Sequence, residues 1–150
     1  MNHLKGIIFD LDGTLVTSTL NFADIKAEIG CPAELDTLAY IKALPTESLR
    51  NEAQRILNQH EMKDAQFSQW LPGARDFVFR CLQERLPMAI VTRNSKQAAL
   101  MKIHNNNIPI SRIRTREDSR PKPDPEALIS LACEFQLEAE QILMVGDYRY

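Results

Sequence analysis

Four short stretches of this chain carry side chains that do chemistry, placed directly after apolar runs or inside a rigid loop. Ile7-Ile8-Phe9 is followed by Asp10-Leu11-Asp12-Gly13-Thr14, Met88-Ala89-Ile90-Val91 by Thr92, and Ile142-Leu143-Met144-Val145 by Gly146-Asp147. Lys122 stands in the proline-flanked loop Arg120-Pro121-Lys122-Pro123-Asp124-Pro125. If the apolar runs are parallel strands, their carboxyl ends open on one crevice, which is where open α/β sheets bind ligands. Three carboxylates, a hydroxyl and an ammonium then converge. Carboxylates so close together repel and raise one another's pKa values, a cost that a divalent cation removes. Oxygen donors with no His or Cys at metal spacing favour a hard ion, Mg²⁺ before Zn²⁺. Lys122 offers a phosphate a point charge, and the Thr92 hydroxyl offers a neutral donor. The set reads as a magnesium-assisted phosphoryl-transfer site, with Asp10, Asp12 and Asp147 as the carboxylates.

The elements that must position these residues follow from periodicity. Continuous rather than alternating apolarity predicts strands buried on both faces of a parallel sheet; Ile113-Arg114-Thr115 is a weaker candidate. Residues 73–85 place Ala74, Phe77, Val78, Cys81 and Leu82 on one helical face. Residues 95–104, opened by Asn94 or Ser95, bring Ala99, Leu100 and Ile103 together. Residues 125–135 begin with Asp124 as N-cap and Pro125 at the first helical position, and bury Leu128, Ile129, Ala132 and Phe135. Strand and helix alternate as in a doubly wound α/β fold. Residues 16–70 break that rhythm. They hold helices at 21–29, closed by Gly30 and Pro32, and at 35–43, closed by Pro45, then a third capped by Thr46 with Leu49, Ala53, Ile56 and Leu57 on one face.

The segment Ile7-Ile8-Phe9-Asp10-Leu11-Asp12-Gly13-Thr14-Leu15 resembles the first motif of the haloacid dehalogenase-like (HAD) superfamily. Thr92, Lys122 and Val145-Gly146-Asp147 resemble its second, third and fourth motifs, in the right order. The resemblance, phosphoglycolate phosphatase-like in its layout, implies a Rossmann-like α/β core at 1–15 and 71–150 and a small helical cap at 16–70. It implies Asp10 as nucleophile, forming an aspartyl-phosphate, and Asp12 as general acid and base. The Asp12 carbonyl and Asp147 join Asp10 as magnesium ligands. Thr92, the Arg93 N–H and Lys122 bind the phosphoryl oxygens. The reaction implied is hydrolysis of a small phosphorylated metabolite. A phosphomutase would share every motif; a dehalogenase would need neither Asp12 nor magnesium; a non-catalytic binding module could keep the fold. The fourth motif normally carries a second acid three or four positions after its first, here 151 or 152, so the C-terminal part of the core is expected to continue beyond Tyr150.

Other readings weaken on inspection. A calcium loop starting at Asp10 would need Gly at its sixth position and an acid at its twelfth, where Leu15 and Asn21 stand. With 18 basic and 20 acidic residues in 150, a net charge of −2 gives no excess for holding nucleic acid. The apolar stretch before Asp10 is too short for a signal peptide or a membrane span. Cys31, Cys81 and Cys133 are few and far apart, as in a reducing cytoplasm, with Cys81 and Cys133 expected as small core residues on helices. Arg112, Arg114, Arg116 and Arg120 are expected to form a solvated face. His3, His60 and His104 read as surface residues, and Trp70 as packing between the helical segment and the core.

Overall fold

A computed structural model describes residues 3–146. Among them lie four strands: β1 (Gly6–Phe9), β2 (Met88–Val91), β3 (Arg112–Arg114) and β4 (Ile142–Val145). They form one parallel sheet in the order β3-β2-β1-β4. Ile7 pairs with Met88 and Leu143, and Phe9 with Ile90 and Val145, so the carboxyl ends of β1, β2 and β4 lie level. Side chains of a strand alternate between faces. Ile7 and Phe9 therefore enter one core, with Val78, Cys81, Ile90 and Ala99, while Ile8 enters another, with Ala89, Val91, Ala127 and Leu131. The unbroken apolar runs demanded burial on both faces, which β1 and β2 show throughout; β4, at the edge of the described sheet, is half-buried.

The core helices are α4 (Ala74–Gln83), α5 (Lys96–Asn105) and α6 (Glu126–Phe135). Ser95, not Asn94, caps α5, its side chain accepting from Ala98 N–H. The start of α6 falls one residue later than the sequence predicted. Pro125 is its N-cap, and Asp124 Oδ1 accepts from Glu126 N–H. The buried stripes are narrower than the apolar patterns. On α6 they run through Ala127 and Leu131; Ile129 is 66% exposed and Cys133 is exposed as well. Each lies two positions on from a buried residue, about 200° round the helix, so both expectations of burial are corrected. On α4, Phe77 and Leu82 are about two-fifths exposed, although Phe77 still meets the Phe9 ring edge-on at 6.0 Å. Leu100 on α5 is exposed too, and Lys102 is wholly buried instead.

Between β1 and α4 the chain forms α1 (Phe22–Ile29), α2 (Thr37–Lys42) and α3 (Glu47–Phe67). Asn21, Asp36 and Thr46 cap their N-termini by accepting from the backbone three residues on. Gly30 ends α1 at φ +83°, a conformation that costs a residue with a Cβ. The three helices share a core of Ile25, Ile41, Ala53 and Leu57. So small a core does not hold three helices unaided. The segment is joined to the sheet where its two connections run side by side: Thr17 N–H donates to Gln69 O (2.8 Å) and Leu71 N–H to Leu15 O (2.9 Å). Trp70 seals that junction, packing on the β1 core and donating its indole N–H to Asn106 O at 2.7 Å.

The buried stripe of α3 begins apolar and turns acidic. Ala53 and Leu57 are followed, one turn at a time, by Glu61, Asp64 and Ala65. Leu49, expected on this stripe, is half exposed.

Candidate active site

Asp10 follows β1 directly. Its N–H donates to Val145 O (2.8 Å), which ties the start of the loop to the end of β4. Its carboxylate Oδ1 accepts from Leu11 N–H at 2.8 Å and from Lys122 Nζ at 2.6 Å. Lys122 also donates to Val91 O at 3.1 Å, so the ammonium spans the ends of β1 and β2. Asp10 is 8% exposed and Lys122 2%. A buried charge is tolerated only when paired and hydrogen-bonded, and each of these supplies that for the other. Gly146 lies against the opposite side of Asp10: a Cβ built on it would stand 2.9 Å from Asp10 Cβ and 3.7 Å from Oδ2.

After Asp12 the chain reverses at once. Gly13 adopts φ +74°, and its N–H donates to Val16 O (2.9 Å), a turn that L side chains resist. The Asp12 carboxylate is held on both oxygens, Oδ1 by Lys102 Nζ at 2.6 Å and Oδ2 by Asn94 Nδ2 at 2.8 Å. Thr92, at the end of β2, accepts from Asn94 N–H and Asn94 Nδ2. Both contacts use the hydroxyl as acceptor, which leaves its proton for an anion in the cavity. Asp10, Asp12, Thr92, Arg93 and Lys122 thus share one cavity of about 590 Å³, roofed by Leu20, Phe22, Lys26, Asp36 and Leu38 of the helical segment.

The Arg93 guanidinium pairs with Asp36, the N-cap of α2. Burial pushes the Asp36 carboxyl up, but the Ala39 N–H and Arg93 outweigh it and hold the group below its ordinary range. Arg116 is likewise not the solvated residue expected. Its side chain is 8% exposed and pairs with Glu61 of α3 at 2.6 Å, while also donating to Arg93 O and Asn58 Oδ1. Arg112 and Arg114 pair with Glu134 nearer the surface.

Sequence reasoning passed over Lys102, Glu61, Asp64 and Asp36, and offered Asn94 only as a helix cap. A cue existed for some of them: Lys102 lies on the same side of α5 as Ala98 and Ala99, and Glu61 and Asp64 continue the stripe of Ala53 and Leu57. A charge at an apolar-periodic position is out of place unless it is buried with a partner.

Asp147 lies outside the described residues, so the expected set of three metal-binding carboxylates is not seen together. Among the described residues no group of three or more His, Cys, Asp or Glu side chains stands as a metal cluster. What borders Asp10 is nonetheless suited to a hard cation. Among the described residues no His or Cys lines the cavity, and Asp10 Oδ2 lies toward Gly146. Carboxylate and carbonyl oxygens are the donors that Mg²⁺ takes.

Known proteins resemble this chain over most of its length. The chain is 31% identical over 98% of its length to an uncharacterized hydrolase of Saccharomyces cerevisiae, of which it covers 70%. It is 25% identical over 97% of its length to a haloacid dehalogenase-like hydrolase domain-containing protein of Arabidopsis thaliana, covering 63% of it. The chain therefore spans about two thirds of the length of these relatives. It shares its fold with the crystal structure of a predicted phosphoglycolate phosphatase from Haemophilus somnus, with a TM-score of 0.70 and 20% identity over 96% of this chain and 77% of that one. Residues 7–150 match the model of the haloacid dehalogenase-like hydrolases, and the chain belongs to that family of enzymes.

Proposed function

We propose that this chain is a magnesium-dependent phosphomonoester hydrolase acting on a small phosphorylated metabolite, with Asp10 as nucleophile. The observation that carries the reading is the buried Asp10–Lys122 pair at the level strand ends, 2.6 Å apart and facing one cavity with Thr92. Asp10 attacks phosphorus and the P–O bond to the leaving group breaks, giving an aspartyl-phosphate. Asp12 donates its proton to the departing alkoxide. It then takes a proton from the water that attacks phosphorus and releases Asp10 and inorganic phosphate. Lys122, the Thr92 hydroxyl and the Arg93 N–H bind the phosphoryl oxygens as charge builds on them. Asp10, Asp12 through its main-chain carbonyl, and Asp147 would hold Mg²⁺, which supplies positive charge beside the phosphoryl group. In this reading residues 16–70 are a cap over a core made of 1–15 and 71–150, and the cap's cavity wall selects the substrate.

The name of the Haemophilus somnus protein, a predicted phosphoglycolate phosphatase, supports a small phosphomonoester, and a cavity of about 590 Å³ has room for one. The test is turnover of p-nitrophenyl phosphate with and without Mg²⁺. Asp10→Asn is expected to abolish the magnesium-dependent rate; a D10N protein that turns over at the parent rate refutes the assignment.

A further inference from the structure

Lys102 is 0% exposed, with its ammonium inside the protein. An ammonium has three protons to donate, and three acceptors meet this one: Asp12 Oδ1 at 2.6 Å, Asp64 Oδ2 at 2.8 Å and Asn94 Oδ1 at 3.4 Å. The three come from different parts of the molecule. Asp12 is in the loop after β1, Asn94 in the loop after β2, and Asp64 near the end of α3, the helix that leads back into the core. Asp64 in turn accepts from Ser18 Oγ, Thr19 N–H and Thr19 Oγ1, on the segment that first leaves the core. One buried cation therefore fastens both connections of the helical segment to the second carboxylate of the Asp-x-Asp loop.

We infer that Lys102 is a positioning residue for Asp12: it sets the carboxylate's place in the cavity and keys that place to the seating of the helical segment through Asp64. This inference rests on the phosphomonoesterase reading, in which Asp12 transfers the proton. The geometry explains why Lys occupies this position. The site requires a long stem that crosses the interface between α3 and α5 and a cation at its end for two carboxylates. A neutral side chain would leave Asp12 and Asp64 facing one another uncompensated. Misplacement of a reacting group by an ångström or so costs about 10²-fold in rate. In kcat/KM that cost falls on protonation of the leaving group, because the second task of Asp12, taking a proton from the attacking water, follows departure of the leaving group.

The experiment compares phenyl phosphate with p-nitrophenyl phosphate, in the parent chain, Lys102→Met, Asp12→Asn and the K102M/D12N double variant. p-Nitrophenolate departs readily without a proton and phenolate does not, while the two esters present the same phosphoryl group. K102M is expected to lower kcat/KM for phenyl phosphate at least about tenfold more than for p-nitrophenyl phosphate, a fraction of the 10²–10⁴ that general acid catalysis supplies. The inhibition constant of inorganic phosphate should stay within about twofold, because Lys122 and Thr92 are untouched. Adding K102M to D12N should cost little more. An equal loss on both esters, a loss confined to phosphate binding, or a K102M effect that persists in full on D12N overturns the inference. If K102M does not fold, as a melting curve reveals, Asp64→Asn answers instead, since it loosens Lys102 while leaving its contact with Asp12. It should show the same bias toward phenyl phosphate, and no bias overturns the inference. Absence of magnesium-dependent turnover in the parent chain overturns the phosphomonoesterase reading itself, and the inference with it. Turnover in the parent with unbiased variants overturns the inference alone.

Discussion

Replacing Arg116 with Met removes the cation that faces Glu61 and leaves a carboxylate only 6% exposed at its side chain. Glu61 Oε1 keeps the Ser95 N–H at 3.2 Å, whereas Oε2 loses its partner at 2.6 Å. Removing one member of a buried ion pair costs roughly 3–5 kcal/mol, because the survivor is left uncompensated. The remaining Ser95 bond argues for the lower end, about 3 kcal/mol. In a domain of this size that lowers Tm by about 6–12 °C. The double variant E61M/R116M removes both charges and fills the space with apolar stems, so it should recover most of the loss. Asn58, which also accepts from Arg116, retains the Gln54 amide. A coupling energy of about 2 kcal/mol is expected from the cycle R116M, E61M and E61M/R116M. Urea denaturation followed by far-UV circular dichroism measures all four proteins. Single losses below about 1 kcal/mol that simply add would show that the pair behaves like a solvated one, and the idea that α3 is bolted to the core would fail.

Two further perturbations read the site and its anchor. Gly146→Ala would place a Cβ 2.9 Å from that of Asp10, so turnover should fall about tenfold or more through displacement of Asp10, with little change in Tm; parent-level activity would refute that close approach. Asp64 tests acid stability: burial pushes its carboxyl up, but the Lys102 ammonium, the Thr19 N–H and the Ser18 hydroxyl outweigh it and hold the group below its ordinary 3.8. Its contribution is therefore complete above that value and drains away as pH falls through the lower, folded-state value, so D64N should lose stability less steeply on acidification than the parent. Identical slopes in the two proteins would count against this.

The ties between the helical segment and the core differ in kind from one end to the other. Glu61–Arg116 and Asp64–Lys102 are buried, one turn apart on α3, and depend on each other's charge. Arg93–Asp36, at α2, is partly exposed at 22% and 47%, so it is worth no more than about 1 kcal/mol. The two buried pairs on α3 are therefore the stronger ties of the helical segment to the core.

Much of this was legible in the residues. The three unbroken apolar runs could hardly be anything but strands of a sheet covered on both faces, and each ends within a residue of its predicted limit. The cap at Thr46, and that at Ser95 once Asn94 is set aside, are local events between a side chain and an N–H three residues on, so they too are visible in sequence. Asp10, Asp12 and Thr92, placed at strand ends, line one cavity because parallel strands in register bring their carboxyl ends level, and Lys122 reaches it from its loop.

What the order of residues did not reveal is which charges would be buried. Periodicity assigns each helical position to a face, but not to a partner. It therefore placed Ile129 and Cys133 inside and was silent about Lys102, while the local run of charges placed Arg116 outside. A side chain's burial depends on what packs opposite it, and for Lys102 that is a carboxylate 90 residues earlier and another 38 residues earlier. The placement of the two Asp-x-Asp carboxylates is thus written in the sequence, since it follows from residue type at the end of a strand. The cation that holds Asp12 in place is a decision of tertiary structure alone, because only folding sets one ammonium between two carboxylates remote along the chain.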